Sequence, residues 1–113
     1  MDIEVKQEGE GTILIVKGRV NIQTAPKLHD ELEKRAKPKR PLVVCLSGVE
    51  YMDSSGVGVL VTGLRYANSK NVPFALSNLH ERVQSVLELT RLTKIFDIYP
   101  DVPSALEALG GKS

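Results

Sequence analysis

Leu42-Val43-Val44-Cys45-Leu46-Ser47-Gly48-Val49-Glu50-Tyr51-Met52-Asp53-Ser54-Ser55-Gly56-Val57-Gly58-Val59-Leu60 contains the change of period on which the fold turns. Its first five residues are an uninterrupted apolar run behind Pro41, the pattern of a central strand buried on both faces. From Val57 the apolar residues recur at Leu60, Val61, Leu64 and Ala67, which predicts a helix from about Ser54 to Ser69. A buried strand that feeds a helix through a short polar turn is the unit of a parallel α/β sheet.

The same alternation continues on both sides. Upstream, Ile3 and Val5 alternate with Asp2, Glu4 and Lys6, and Thr12 to Lys17 encloses the β-rich run Ile13-Leu14-Ile15-Val16. With Glu8-Gly9-Glu10-Gly11 as the turn, these two segments read as a hairpin. Gly18 to Gln23 reads as a loop, after which Thr24 as cap and Pro26 in the first turn open a helix striped by Leu28, Leu32 and Ala36. Downstream, Pro73-Phe74-Ala75-Leu76 reads as a strand. Asn78-Leu79-His80-Glu81 resembles a capping box ahead of Val83, Val86 and Leu87. Ile95 to Tyr99 reads as a last short strand, and Asp101 caps a final helix that carries Pro103 and stops at Gly110-Gly111. The order β-β-α-β-α-β-α-(β)-α predicts a small layered α/β domain spanning residues 1–113. Its mainly parallel mixed sheet carries an N-terminal β-hairpin, and helices pack against it.

Composition narrows the function. The chain is 42% apolar and 26% charged, ordinary globular usage, and its 113 residues suit one compact core. Fifteen Lys and Arg against fourteen Asp and Glu leave a formal charge of +1, which argues against direct nucleic-acid binding through a basic surface. One Cys forbids an internal disulfide and suits a reducing compartment, so a cytoplasmic location is expected. Two His and one Cys are too few for a zinc site built from those residues alone, and no cofactor is expected. The acidic start lacks a secretory pattern, and the longest mostly apolar stretch, Gly56 to Leu64, falls far short of the ~20 residues of a membrane span. Lys34, Arg35, Lys37, Lys39 and Arg40 crowd around Pro38, where a solvated helix end complementing its own dipole is favoured over an anion-docking patch.

Functional loops of such sheets gather beyond the carboxyl ends of parallel strands. Two segments occupy that position: Gly18-Arg19-Val20-Asn21-Ile22-Gln23 and Tyr51-Met52-Asp53-Ser54-Ser55-Gly56. In the second, a carboxylate and two hydroxyls precede two glycines that are poor helix formers. Capping with tight packing and an interaction surface stand as equal readings of that pattern. Catalytic readings fare worse. Met52-Asp53-Ser54-Ser55-Gly56 lacks the first glycine of a nucleophile elbow, and His29 and His80 fall on predicted helices or their caps. The phosphate-loop pattern is absent, since Leu64 follows Gly63. The chain is read as a non-enzyme. A receiver-like domain phosphorylated on Asp53 is the rival from another class, but Arg19 and Asn21 stand where an acidic pair would hold magnesium.

At Met52 to Leu60 the sequence resembles the anti-sigma factor antagonist family, whose fold is the STAS domain. Gly18-Arg19-Val20-Asn21, Thr24-Ala25-Pro26-Lys27-Leu28 and Leu89-Thr90-Arg91-Leu92-Thr93-Lys94-Ile95-Phe96 support the likeness in order and spacing. The resemblance implies a protein-binding switch. The unmodified domain binds an anti-sigma factor that is also a serine kinase and so frees the sigma factor; the kinase inactivates the domain by phosphorylating the Ser after the motif Asp, here Ser54, and a serine phosphatase resets the switch. It places the partner surface on Asn21, Thr24, Met52, Asp53, Ser54, Ser55, Gly56, Val57 and Gly58, in a monomer or weak homodimer. The first loop departs from the family's Gly-Glu-x-Asp, reading Gly18-Arg19-Val20-Asn21. That departure leaves room for a STAS interaction subunit of another signalling or transport complex, one not controlled by phosphorylation.

Overall fold

The computed structural model describes residues 1–110. The elements run β1 (Asp2–Glu8), β2 (Gly11–Val20), α1 (Ala25–Arg35), β3 (Leu42–Met52), α2 (Ser54–Ser69), β4 (Phe74–Ser77), α3 (Glu81–Leu89), β5 (Ile98–Tyr99) and α4 (Val102–Gly110). They build one sheet of order β1-β2-β3-β4-β5, antiparallel in its first pair and parallel in the rest. This is the expected architecture. The helix foreseen after Asp53 keeps its bounds, while Gly111 of the foreseen terminal stop lies outside the described residues.

Side-chain alternation divides the sheet into two unequal layers. On one face Leu14, Val16, Val20, Leu42, Val44, Leu46 and Leu76 meet Leu28, Leu32, Val57, Leu60, Val83 and Leu87 of α1, α2 and α3 in the main core. On the other face α4 alone covers Val43 and Ala75 through Ala105, with Tyr99, Val102, Leu106 and Leu109 around them. Gly63 lets α1 and α2 close on each other, since a Cβ there would stand 2.8 Å from Leu32 Cδ1. The crowded cations fall as the solvated reading has it: Lys34 and Arg35 occupy the last turn of α1, and Lys37, Lys39 and Arg40 are exposed.

The main difference from expectation lies at the strand ends. Gly18, Arg19 and Val20, read as loop, belong to β2, and Tyr51 and Met52 belong to β3. The pairing is irregular there: Ile15, Lys17 and Arg19 face Cys45, Gly48 and Tyr51, so β3 advances three residues for each two of β2, twice over. Each extra residue is a bulge that reverses the facing of the residues beyond it. Val49 and Met52 are therefore both buried although three apart, and the polar residues between them interrupt any period-two signal. Gly18 accommodates the distortion at φ +105°, a conformation glycine adopts without a Cβ penalty.

Other corrections are local. Thr24 sits at the N-cap of α1 but its hydroxyl makes no capping bond, because it is used inside the preceding loop. Ala36 lies just past α1, its N–H returning to Leu32 O. The cap of α3 is His80, whose Nδ1 accepts from Arg82 N, and Asn78 instead takes φ +56° in the turn before it. β4 begins at Phe74 rather than Pro73, which has no N–H for a ladder. The last strand shrinks to Ile98–Tyr99, since Ile95 N–H closes a turn on Leu92 O. Asp101 does cap α4, accepting from Ser104 N at 2.8 Å.

Leu60 is fully buried at the centre of the main core, so Leu60→Ala is expected to cost about 2–5 kcal/mol in urea unfolding. The hydrogen bond from Ser104 N holds the exposed Asp101 carboxyl below its ordinary value. A carboxyl whose pKa is depressed by folding adds stability above its unfolded value, and the gain fades as pH falls through the folded one. Melting temperatures of wild type and Asp101→Asn are therefore expected to differ at neutral pH and to converge below about pH 4.

Candidate functional site

β2 and β3 run parallel and finish side by side, with Val20 beside Met52, so the segments after them emerge at the same end of the sheet. A backbone bond from Asp53 N to Val20 O, 3.2 Å, ties the two exits together. The first exit is a closed knot. Asn21 Oδ1 accepts from Gln23 N at 2.9 Å and from Thr24 N at 3.1 Å. Thr24 Oγ1 accepts from Asn21 N and donates to Arg19 O, at 2.9 and 2.8 Å. With the polar groups turned inward, Ile22 is held outward and 75% exposed.

The second exit starts α2. Asp53 is extended at φ −103°, ψ −169°, and its side chain accepts from Ser55 N at 2.9 Å, satisfying one of the free donors of the first turn. Ser54 is the first helical residue and is exposed. The two glycines of this helix start have different situations. A Cβ on Gly56 would stand 2.5 Å from Met52 Cγ and 2.7 Å from Val20 Cγ1, so this glycine seats the helix on the strand ends. Gly58 has nothing within 4 Å of such a Cβ and is exposed. Tight packing accounts for the first glycine and leaves the second without a role inside the fold.

The residues proposed from sequence thus separate by depth. Met52, Gly56 and Val57 are buried and support the surface from beneath; Asn21, Thr24, Asp53 and Ser55 are half-buried; Ser54 and Gly58 are exposed. Ile22 was missed, and its only signal was an apolar side chain amid polar loop residues. The stack of the Arg19 guanidinium on the Tyr51 ring, 4.6 Å from its centroid, was also missed, because it depends on the register of the bulged pair.

Catalytic constellations are not assembled from these groups. Asp53 is used as a cap, His80 caps α3, and His29 lies on α1 beside Asp30 and Glu33. Cys45 is buried in the sheet. Among the described residues no three His, Cys, Asp or Glu side chains gather in a way that could hold a metal ion, so Asp53 lacks the acidic neighbours of a receiver site. Among the same residues, no helix is long and apolar enough to cross a membrane.

Residues 2–105 match the family model of the STAS domain. The anti-sigma-B factor antagonist of Bacillus subtilis is 32% identical to this chain over 98 residues, covering 87% of the chain and 90% of that protein. The anti-sigma-B factor antagonist of Listeria monocytogenes is 32% identical over 100 residues, with 87% and 88% covered. The crystal structure of an anti-sigma factor antagonist from Mycobacterium paratuberculosis superposes with a TM-score of 0.86 at 25% identity, over 96% of this chain and 92% of that one. Sequence, element order and superposition agree, and the chain belongs to the STAS domain family, among relatives that are anti-sigma factor antagonists.

Proposed function

We propose that this chain is an anti-sigma factor antagonist whose unmodified form binds an anti-sigma factor serine kinase, and that phosphorylation of Ser54 switches the binding off until a serine phosphatase restores it. The observation that carries the reading is Ser54 itself: an exposed hydroxyl at the first position of α2, beside a locked loop and ahead of a glycine with no task inside the fold. The kinship with anti-sigma-B factor antagonists supports the class of partner.

Energetics favour a switch at the interface rather than in the fold. A phosphoryl group adds about −1.5 to −2 charges. The start of α2 favours that charge by roughly 0.3–1 kcal/mol. Asp53 opposes it by about 1 kcal/mol in water and about 3 at an effective dielectric near 20, for charges ~5 Å apart. The net cost is at most about 3 kcal/mol, below the ~5–15 kcal/mol of an ordinary fold, so the fold is expected to survive modification. A partner surface shaped around a neutral hydroxyl must instead bury an unpaired dianion, at a cost of several kcal/mol and thus orders of magnitude in affinity.

A second reading, a constitutive interaction subunit, draws on Arg19, which places a cation beside the first loop. Phosphoserine at position 54 in protein isolated from its native cells counts against that reading, and its complete absence under all growth conditions counts against the switch.

Co-purification from those cells identifies the partner. With it in hand, Ser54→Ala is expected to bind like wild type and Ser54→Asp at least about tenfold more weakly by calorimetry; equal binding by both removes the switch. The glycines give an independent check. Gly58→Ala is expected to raise stability by up to about 1 kcal/mol, since alanine is the better helix former, yet to weaken partner binding. Gly56→Ala is expected to destabilise the chain by about 1–3 kcal/mol through overpacking against Met52 and Val20.

A further inference from the structure

The sheet face opposite α2 carries a recess that the switch does not use. β4 pairs with β3 only as far as Cys45 and Ser77, so the last residues of β3 continue beside β2 alone. α4 packs elsewhere on that face, on Val43 and Ala75. Beyond it, Gly18, Arg19, Gly48, Glu50 and Tyr51, joined by Arg82 from the first turn of α3, line a recess of about 360 Å³. Two of its lining residues, Gly18 and Gly48, are glycines that their surroundings require. Any Cβ on Gly48 would press on Lys17 at 2.7–3.0 Å, and Gly18 holds φ +105°. The recess therefore lies on the stretch where the pairing of β2 with β3 is irregular.

Its chemistry is that of an unfilled anion receptor. The Arg19 guanidinium lies on the Tyr51 ring at 4.6 Å, which fixes its plane and leaves its N–H edge free to donate. Among the described residues the ion pairs all lie within α1, and none involves Arg19, Arg82 or Glu50. Two guanidinia against one carboxylate leave the recess with a surplus of one positive charge, which a single carboxylate neutralises and a phosphate dianion exceeds. The recess adjoins the docking end of the sheet, because Arg19 O accepts from Thr24 Oγ1 in the loop that presents Ile22.

We propose that the recess between Arg19, Tyr51 and Arg82 receives an aspartate or glutamate side chain from an extended acidic segment of the protein that docks at Ser54. The proposal rests on the reading of the Ser54 end as a docking surface and adds to it a charge requirement on the partner. Arg19 and Arg82 act as specificity residues: a partner presenting a cation at this point meets like charge, and one presenting a neutral group displaces their water without supplying a charged acceptor.

The test is a nuclear magnetic resonance titration of the whole chain with three probes: a short peptide alternating glutamate and glycine, its glutamine counterpart, and inorganic phosphate. The glutamate peptide is expected to shift the Nε–Hε signals of Arg19 and Arg82 and the ring signals of Tyr51, and the glutamine peptide to leave them unmoved. Arg19→Gln and Arg82→Gln are each expected to weaken the glutamate peptide about five- to tenfold, with the remaining amide spectrum preserved, and Arg19→Lys to recover only part of the loss. Equal response to the two peptides, no response to either, or tighter binding of phosphate than of the glutamate peptide overturns the proposal. Ser54→Asp leaves the recess intact, so its effect on partner binding judges the switch separately from the titration.

Discussion

Everything functional in this chain depends on how β3 pairs with β2. With Thr12 opposite Leu42, two strands in regular register would bring Val20 beside Glu50 and leave Met52 two residues beyond the end of β2. The two bulges change that. The first turns Val49 into the core and the second restores the original facing, so Met52 is buried while Tyr51 stands on the opposite face beside Arg19. Buried Met52 and Val20 then form the seat on which Gly56 places the start of α2. Were the register regular, Val20 would pair with Glu50, Val49 would turn away from the core and Met52 would overrun β2 by two residues, so the helix start would lose its seat on Val20 and its alignment with the Asn21 knot.

Within that frame, small polar side chains define the loops. Asn21 and Thr24 exchange bonds with each other's backbone and with Arg19 O, so the first exit is ordered without a hydrophobic contact of its own. Asp53 performs the same service for the second exit through Ser55 N. Preorganised loops lower the ordering cost that a partner must overcome. Beside this ordered backbone Ile22 stands exposed, an apolar side chain without cover in the fold.

Much of the architecture was legible in sequence because it rests on period. The apolar run from Leu42 to Leu46 and the spacing from Val57 to Ala67 each hold one period for several residues, and both elements lie where that pattern placed them. Legibility failed where facing is set by pairing rather than by composition. Ser47, Gly48, Glu50 and Tyr51 hide the continuation of β3, because a bulge leaves no mark that a single strand can show. The capping roles of Thr24 and Asn78 failed for a related reason. Each is a competent cap by type, but a neighbouring backbone group or a left-handed turn claimed it first. At the site, the Asp53-Ser54-Ser55-Gly56 segment was recognisable, whereas the separate tasks of Gly56 and Gly58 emerged only from the space around each.

The unequal coverage of the two sheet faces has a consequence for motion. Three helices share the large core under Ser54, while α4 alone covers its face, where Val43, Ala75 and Ala105 are buried and Tyr99, Val102, Leu106 and Leu109 only partly so. Local opening free energy tracks buried apolar contact, so α4, attached behind the two-residue β5, is expected to open more readily than the helices of the main core. Its opening exposes the sheet behind the recess but leaves α1, α2 and the Asn21 knot in place. The Ser54 end and α4 thus belong to opposite faces of one sheet, and amide protons of α4 are expected to exchange with solvent without displacing Ser54.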